Sequence, residues 1–238
     1  MDFLLELQDI EAGYGDIKVL YDLNLRISSG DNILILGPNG AGKTTIFKVI
    51  TGLIKPYKGK VVFEEKDITD WETPKRINAG IGYLLQTENI FPSLTAEDNL
   101  RLSIATLKQE IFETRLKELI SVVPALESIL SKRAGLLSGG ERQLLAIAMV
   151  LIKKPKILLL DEPTAGLAPK AAKEIIDYLI QFQKNIGIST VCMIEHNLRE
   201  ALKWANRVLI IAHGKLMYET QDIKSCLSNP QVLEKYFF

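Results

Sequence analysis

Cysteine is scarce in this 238-residue chain: there are two, Cys192 and Cys226. Cys192 lies in the apolar run Thr190–Ile194, the pattern of a buried strand. A disulfide framework is therefore not expected, and two free thiols suit a reducing compartment. Long apolar runs are missing as well. Stretches such as Ile157–Leu160 and Val208–Ala212 fall far short of the ~20 residues that a spanning helix needs. Any link to a membrane would have to go through a partner. Met1–Gln8 carries Asp2 and Glu6 and lacks the basic-then-apolar order of a secretory signal. Neither sign of charge is in excess, since Lys+Arg and Asp+Glu both count 29. That balance gives no footprint for nucleic acid or anionic lipid. Internal repeats, low-complexity tracts and long linkers are absent too.

What is present is ordinary for a globular protein, with 47% hydrophobic and 24% charged residues. Leu4–Ile10 and Val19–Ile27 alternate apolar and polar residues, as half-buried strands do, around a turn at Tyr14-Gly15-Asp16. A second turn, Ser29-Gly30-Asp31, leads into Ile33–Leu36, apolar without alternation, as in a strand covered on both faces. A helix is expected from about Lys43 to Leu53, and strands at Val61–Phe63 and Ile81–Leu85. From about Leu94 to Leu151 helical periodicity replaces strand signals, as in Leu116, Leu119, Ile120 and Val123. Strands return at Ile157–Leu160, Ser189–Ile194 and Arg207–Ile211, with helices at about Lys170–Lys184 and Leu198–Ala205 between them. This alternation predicts an α/β core with a largely parallel sheet and an inserted α-helical subdomain.

Three motifs carry chemistry. Gly37-Pro38-Asn39-Gly40-Ala41-Gly42-Lys43-Thr44 fits the phosphate-loop pattern G-x-x-x-x-G-K-[ST], with an apolar strand before it and a helix after it. Glycines let the backbone curl so that several N–H groups face one phosphate. The following helix turns its positive dipole end to the same anion. Lys43 is expected to reach the β- and γ-phosphates, and Thr44 to offer its hydroxyl to Mg²⁺. Second, the apolar strand Ile157–Leu160 ends in Asp161-Glu162. Ligands of parallel α/β sheets bind beyond the carboxyl ends of strands. Asp161 there suits Mg²⁺ held through water, and Glu162 suits the base that accepts a proton from attacking water.

The third motif is Leu137-Ser138-Gly139-Gly140-Glu141-Arg142-Gln143, ahead of the apolar helix Leu144–Ile152. Ser138 is a good N-cap, and two glycines bare the backbone at a helix start, which makes a second anion site. It lies far from the phosphate loop in sequence, inside the helical insert, and one chain has no use for two γ-phosphate sites.

This heptad resembles the signature of ABC (ATP-binding cassette) ATPases, at the usual interval before Asp161, and the resemblance covers essentially the whole chain. It implies a P-loop ABC ATPase domain with an antiparallel β subdomain and an inserted helical subdomain. The single cassette would fill 1–238, with an ATP-binding core at 1–93 and 154–238 and the signature subdomain at 94–153. Tyr14, in Gly13-Tyr14-Gly15, matches the aromatic that stacks on adenine. Gln86 matches the glutamine that touches Mg²⁺ and the attacking water, and His196 the switch histidine at the γ-phosphate. Thr45 joins the ATP-binding set. Two cassettes of the family meet head to tail, so Ser138, Gly139, Gly140 and Glu141 would act in trans on ATP held by the other copy. One phosphate loop and one signature imply a second ATPase subunit, self or sister. The chain would sit on the cytoplasmic face of the membrane, against separate permease subunits. The surface from Gln86 through Phe91–Thr95 to Asn99-Leu100 is similar to the one that grips a permease.

Asp67–Trp71, Phe91–Thr95, Gly166–Pro169 and Glu195–Leu198 look like the short-type ATPases of branched-chain amino acid importers, which also rely on an extracytoplasmic substrate-binding protein. Ala165-Gly166-Leu167-Ala168 replaces the Ser-x-x-Asp of many ABC ATPases, so the aspartate that would address the opposite site is missing. Gln86 stands where some short-type members look like they carry Glu. Alternatives are a urea or amide importer, an exporter, or a non-transport ABC ATPase acting on ribosomes or DNA. The last usually has tandem cassettes or long coiled-coil inserts, which this chain lacks.

Overall fold

A computed structural model describes residues 3–87, 89–104, 108–196 and 198–228. The chain begins with β1 (Phe3–Tyr14), β2 (Ile17–Ser28) and β3 (Asn32–Leu36), followed by α1 (Lys43–Thr51). Next come β4 (Lys58–Phe63), β5 (Lys66–Asp67), α2 (Thr73–Ala79) and β6 (Ile81–Leu84). The helical stretch holds α3 (Ala96–Ser103), α4 (Gln109–Val122), two short 3-10 turns and α5 (Gly139–Leu151). The chain continues through β7 (Ile157–Asp161), α6 (Pro169–Ile186), β8 (Thr190–Ile194) and α7 (Leu198–Trp204). It closes its described part with β9 (Arg207–Ala212), β10 (Lys215–Thr220) and α8 (Ile223–Ser228). These elements fall into two compact units, one of Met1–Ile81 with Ser189–Phe238, the other of Gly82–Ile188.

The first unit carries an antiparallel sheet in the order β2-β1-β4-β5. The β1–β2 hairpin closes with Tyr14 opposite Ile17. Its register shifts between Leu7 and Ile10, where Asp9 takes a positive φ of 49°. Asn24 clamps this bulge, accepting from the Asp9 amide and donating to its carboxylate, both at 3.0 Å. The strands β10-β9-β3-β8 form the other layer of this unit. β3 runs parallel to both β8 and β9, and its Ile35 faces Ile194 on one side and Leu209 on the other. Every residue of β8 and β9 is buried, as their unbroken apolar runs predict for parallel strands. β10 pairs antiparallel at the edge, and its burial alternates.

In the second unit β7 lies beside β6. β7 is buried throughout. α5 packs on α3 and α6, and α4 also meets α6. α6 shows a strongly one-sided pattern, with Ala172, Ile175, Ile176, Leu179 and Phe182 buried, the i, i+3, i+4 spacing of an amphipathic helix.

Candidate active site

In the first unit the phosphate loop fills the step from β3 to α1. Three of its glycines have left-handed φ: Gly37 at 147°, Gly40 at 78° and Gly42 at 103°. A Cβ at Gly37 would stand 1.9 Å from the carbonyl oxygen of Ile211, so only glycine lets the loop pass β9. A Cβ added at Gly40 would meet no atom beyond its chain neighbours within 4 Å, and Asn39 beside it is exposed. The loop is fixed by its own bonds. The Ala41 amide donates to the Pro38 carbonyl at 3.2 Å, and Gly214, in the β9–β10 turn, donates to the Ala41 carbonyl at 3.0 Å. Lys43 is buried, 7% exposed, and its Nζ donates to the carbonyls of Gly37 and Pro38 at 2.8 and 2.9 Å. Thr44 is half-buried at the first turn of α1, and Thr45 is buried behind it.

The parallel register brings His196 to the same end of the strands. Gly37 follows β3 as His196 follows β8, and the two strands are paired. His196 is exposed, and its amide donates to the carboxylate of the buried Glu195 at 2.7 Å. Tyr14 closes the β1–β2 hairpin, 47% exposed. Lys48, one turn into α1, donates to its hydroxyl at 3.3 Å and stands 5.3 Å from its ring centre. The aromatic is therefore steadied from the helix that the phosphate loop starts. The structure thus gathers Tyr14, residues 37–45 and His196 in one unit.

The second unit holds the acids. Asp161 ends β7 with 1% of its surface exposed. Glu162 follows with φ 50°, a conformation that a non-glycine residue rarely keeps without reason. The amide of Gln86 donates to the Glu162 carboxylate at 2.9 Å, and the phenol of Tyr83 donates to Oδ2 of Asp161 at 3.2 Å. Tyr83 was not singled out from the sequence. A signal existed, since a phenol on a buried strand needs a polar partner.

The signature heptad opens α5 in the same unit. Ser138 caps the helix in a reciprocal box: its Oγ accepts from the Glu141 amide at 3.3 Å, and Glu141 Oε2 accepts from the Ser138 amide at 2.8 Å. Lys132 pairs with Glu141 at 2.8 Å. That lysine, with the Ser138 amide behind it, pulls the Glu141 carboxyl down to about 2. Gly139 and Gly140 press on the chain leaving β7, where an added Cβ would meet Leu167 at 3.2 Å and Ala171 at 3.4 Å. A cavity of about 510 Å³ opens in front of Ser138, Gly139 and Gly140, with Gly166 and Leu167 opposite.

A strand, a glycine cradle with a buried lysine, a strand-end acid pair and a capped Ser-Gly-Gly helix start are the parts of one kind of ATPase. A family model described as "ABC transporter" matches residues 20–165, more than half of the chain. The chain belongs to this family. It is an ATP-binding cassette, an ATPase coupled to transport. The cassette is 34% identical over 215 residues to the probable branched-chain amino acid transport ATP-binding protein LivF of Archaeoglobus fulgidus, covering 90% of this chain and 91% of the relative. It is 30% identical over 234 residues to the high-affinity branched-chain amino acid transport ATP-binding protein BraG of Pseudomonas aeruginosa, covering 98% and 99%. The spermidine/putrescine import ATP-binding protein PotA of Mycoplasma mycoides is 37% identical over 215 residues, covering 90% of this chain but 60% of PotA. Among solved structures, the ADP conformation of the cassette MJ1267 has a TM-score of 0.83 at 30% identity, covering 99% of this chain and 98% of that one. A dimeric post-hydrolysis state of the cassette MJ0796 with ADP and Pi has a TM-score of 0.79 at 28% identity, covering 91% and 98%. Among the described residues no helix is long and apolar enough to cross a membrane. The cassette is the ATPase subunit of a membrane transporter, of the kind that works with transmembrane permeases and dimerises.

Proposed function

We propose that this cassette hydrolyses MgATP to drive import of branched-chain amino acids. The observation that carries the chemical part is the Gln86–Glu162 hydrogen bond at the end of β7, 2.9 Å long. It supports Glu162 as the group that takes the proton of the attacking water and Gln86 as the residue that holds both that carboxylate and the water. Lys43 and the loop of residues 37–44, through its amides other than that of Pro38, grip the phosphates with Thr45 behind them, Tyr14 carries the adenine, and His196 addresses the γ-phosphate. Thr44 and Gln86 present oxygen to Mg²⁺ and Asp161 reaches it through water, which fits a hard cation. Among the described residues no three His, Cys, Asp or Glu side chains cluster, and Mg²⁺ beside a nucleotide is commonly held by one or two carboxylates plus phosphates rather than by a protein cage. When bound, that ion would neutralise charge developing on the phosphates.

The cavity at Ser138–Gly140 supports a role in trans. There the helix start and its bare amides meet the γ-phosphate of ATP held by a second cassette, self or sister, with Glu141 fixing the helix start. The antiparallel β layer and the core at 1–93 and 154–238 bind nucleotide, and 94–153 carries the signature. Permease subunits dock on the helical part from the membrane, which places the chain on the cytoplasmic face. An extracytoplasmic binding protein delivers the substrate, and nucleic acid plays no part.

The end-to-end match with LivF and BraG favours amino acids. Vesicles reconstituted with the cassette, its permeases and the binding protein are expected to accumulate labelled leucine when ATP is supplied on the cassette's side. Accumulation of labelled urea or spermidine in place of leucine would refute the substrate, and ATP-driven efflux would refute the direction.

A further inference from the structure

β6 and the loop after it aim two donors at two consecutive carboxylates. Gln86 reaches Glu162, and three residues earlier Tyr83 reaches Asp161, at 2.9 and 3.2 Å. The two acids differ in burial, since Glu162 is half-buried while Asp161 is 1% exposed. A carboxylate that far from water keeps its charge and its direction only when donors meet it. Tyr83 is well built for this. Its ring sits on a strand beside β7, and a phenol has few torsions, so its hydroxyl has little freedom to leave Oδ2.

We propose that Tyr83 is a positioning residue for Asp161, whose hydroxyl locks the carboxylate in the orientation that holds the divalent cation through water and so sets the cation affinity of the site. The inference rests on the reading of Asp161 as the residue that holds Mg²⁺. A phenol bonded to one oxygen of a carboxylate fixes the side-chain torsions of the acid. Removing the outer partner of a direct ligand typically changes metal affinity by about 10–100-fold, and for an acid that acts through water the low end of that range is expected. Tyr83→Phe keeps the ring and its packing and removes only the hydroxyl.

The test is Mn²⁺ binding by electron paramagnetic resonance in the presence of ADP, so that no turnover is needed. Metal-free ADP affinity is measured in parallel. Tyr83→Phe is expected to raise the Mn²⁺ concentration for half-saturation about tenfold and to leave metal-free ADP affinity within about twofold of the unaltered chain. Asp161→Asn should weaken Mn²⁺ at least as much, and adding Tyr83→Phe to it should change nothing further. If Asp161→Asn binds Mn²⁺ like the unaltered chain, the reading of Asp161 fails and the proposal falls with it. If Asp161→Asn weakens Mn²⁺ but Tyr83→Phe does not, the proposal alone is overturned. An extra loss in the double variant, or a matching loss of metal-free ADP binding in Tyr83→Phe, would also overturn it, because Tyr83 would then act on the fold and not through Asp161.

Discussion

Arg76, 1% exposed on α2, directs its guanidinium at four main-chain carbonyls. Nε donates to Trp71 at 2.9 Å, one terminal nitrogen to Val49 and Ile50 at 2.8 and 2.9 Å, and the other to Thr69 at 2.7 Å. Val49 and Ile50 close the last turn of α1, so the cation sits at the negative end of the phosphate-loop helix, where it serves the Ile50 carbonyl and joins the Gly52 amide on that of Val49. Burial lowers the pKa of this guanidinium, against the pull of Asp70 and Asp67. Replacing it by alanine would take this donor from the buried Ile50 carbonyl and from the part-buried carbonyls of Thr69 and Trp71. Arg76→Ala is expected to lose about 3 kcal/mol or more of stability in urea unfolding, and Arg76→Lys to recover little, since one ammonium cannot serve carbonyls on two sides of a planar fork. A loss below about 1 kcal/mol in the alanine variant would contradict this role. At this scale the sequence was informative about chemistry and silent about support. Lys43, Asp161, Glu162 and Ser138 stand in motifs whose residue types state their task. Arg76 and Lys132 act through contacts that no local pattern marks, and for Tyr83 the phenol on a strand signals a polar partner without saying which.

At the scale of elements, the start of α5 shows how sequence and electrostatics agree. Ser138 and Glu141 cap each other, and Lys132 holds the glutamate ionised down to about 2, against an ordinary value of 4.5. The carboxyl is depressed in the folded state, so its contribution to stability is full above pH 4.5 and fades as pH falls toward 2. The stability gap between the unaltered chain and Glu141→Gln, followed by denaturant titration, should therefore be constant near neutrality and shrink steadily across that window. A gap that does not change with pH would show that the charge plays no part in the cap. Long elements were legible because periodicity extends over several turns. The helix expected at about Lys43–Leu53 spans Lys43–Thr51, where Gly52 ends it in a left-handed conformation. The helix expected at about Lys170–Lys184 spans Pro169–Ile186. The strands at Ile157, Ser189 and Arg207 end within one residue of expectation. β10, β5 and α2 were not foreseen. β10 is an edge strand with Lys215, Met217 and Glu219 facing out, β5 has two residues, and α2 has seven with Arg76 as its buried member. None of these offers an apolar stripe long enough to read.

At the scale of the molecule, the architecture leaves a Ser-Gly-Gly helix start beside an open cavity of about 510 Å³ and, in the other unit, a glycine cradle with an open side at Gly40. Two copies arranged head to tail would let each cavity receive the phosphates that the other copy's cradle holds. ATP would then bind two chains together, and hydrolysis would release them, because the nucleotide favours the closed pair only through its extra contacts there. Blocking hydrolysis should freeze that pair. Glu162→Gln removes the proposed proton acceptor and leaves the phosphate loop intact, so turnover should fall by about 10²-fold or more while ATP still binds. The most direct measurement is light scattering of Glu162→Gln with saturating MgATP. A mass of twice 26.6 kDa, returning to 26.6 kDa when the nucleotide is removed, is the predicted result. A mass that stays at 26.6 kDa with MgATP bound would contradict pairing with a second copy, and the same mass with a sister cassette added would contradict the account.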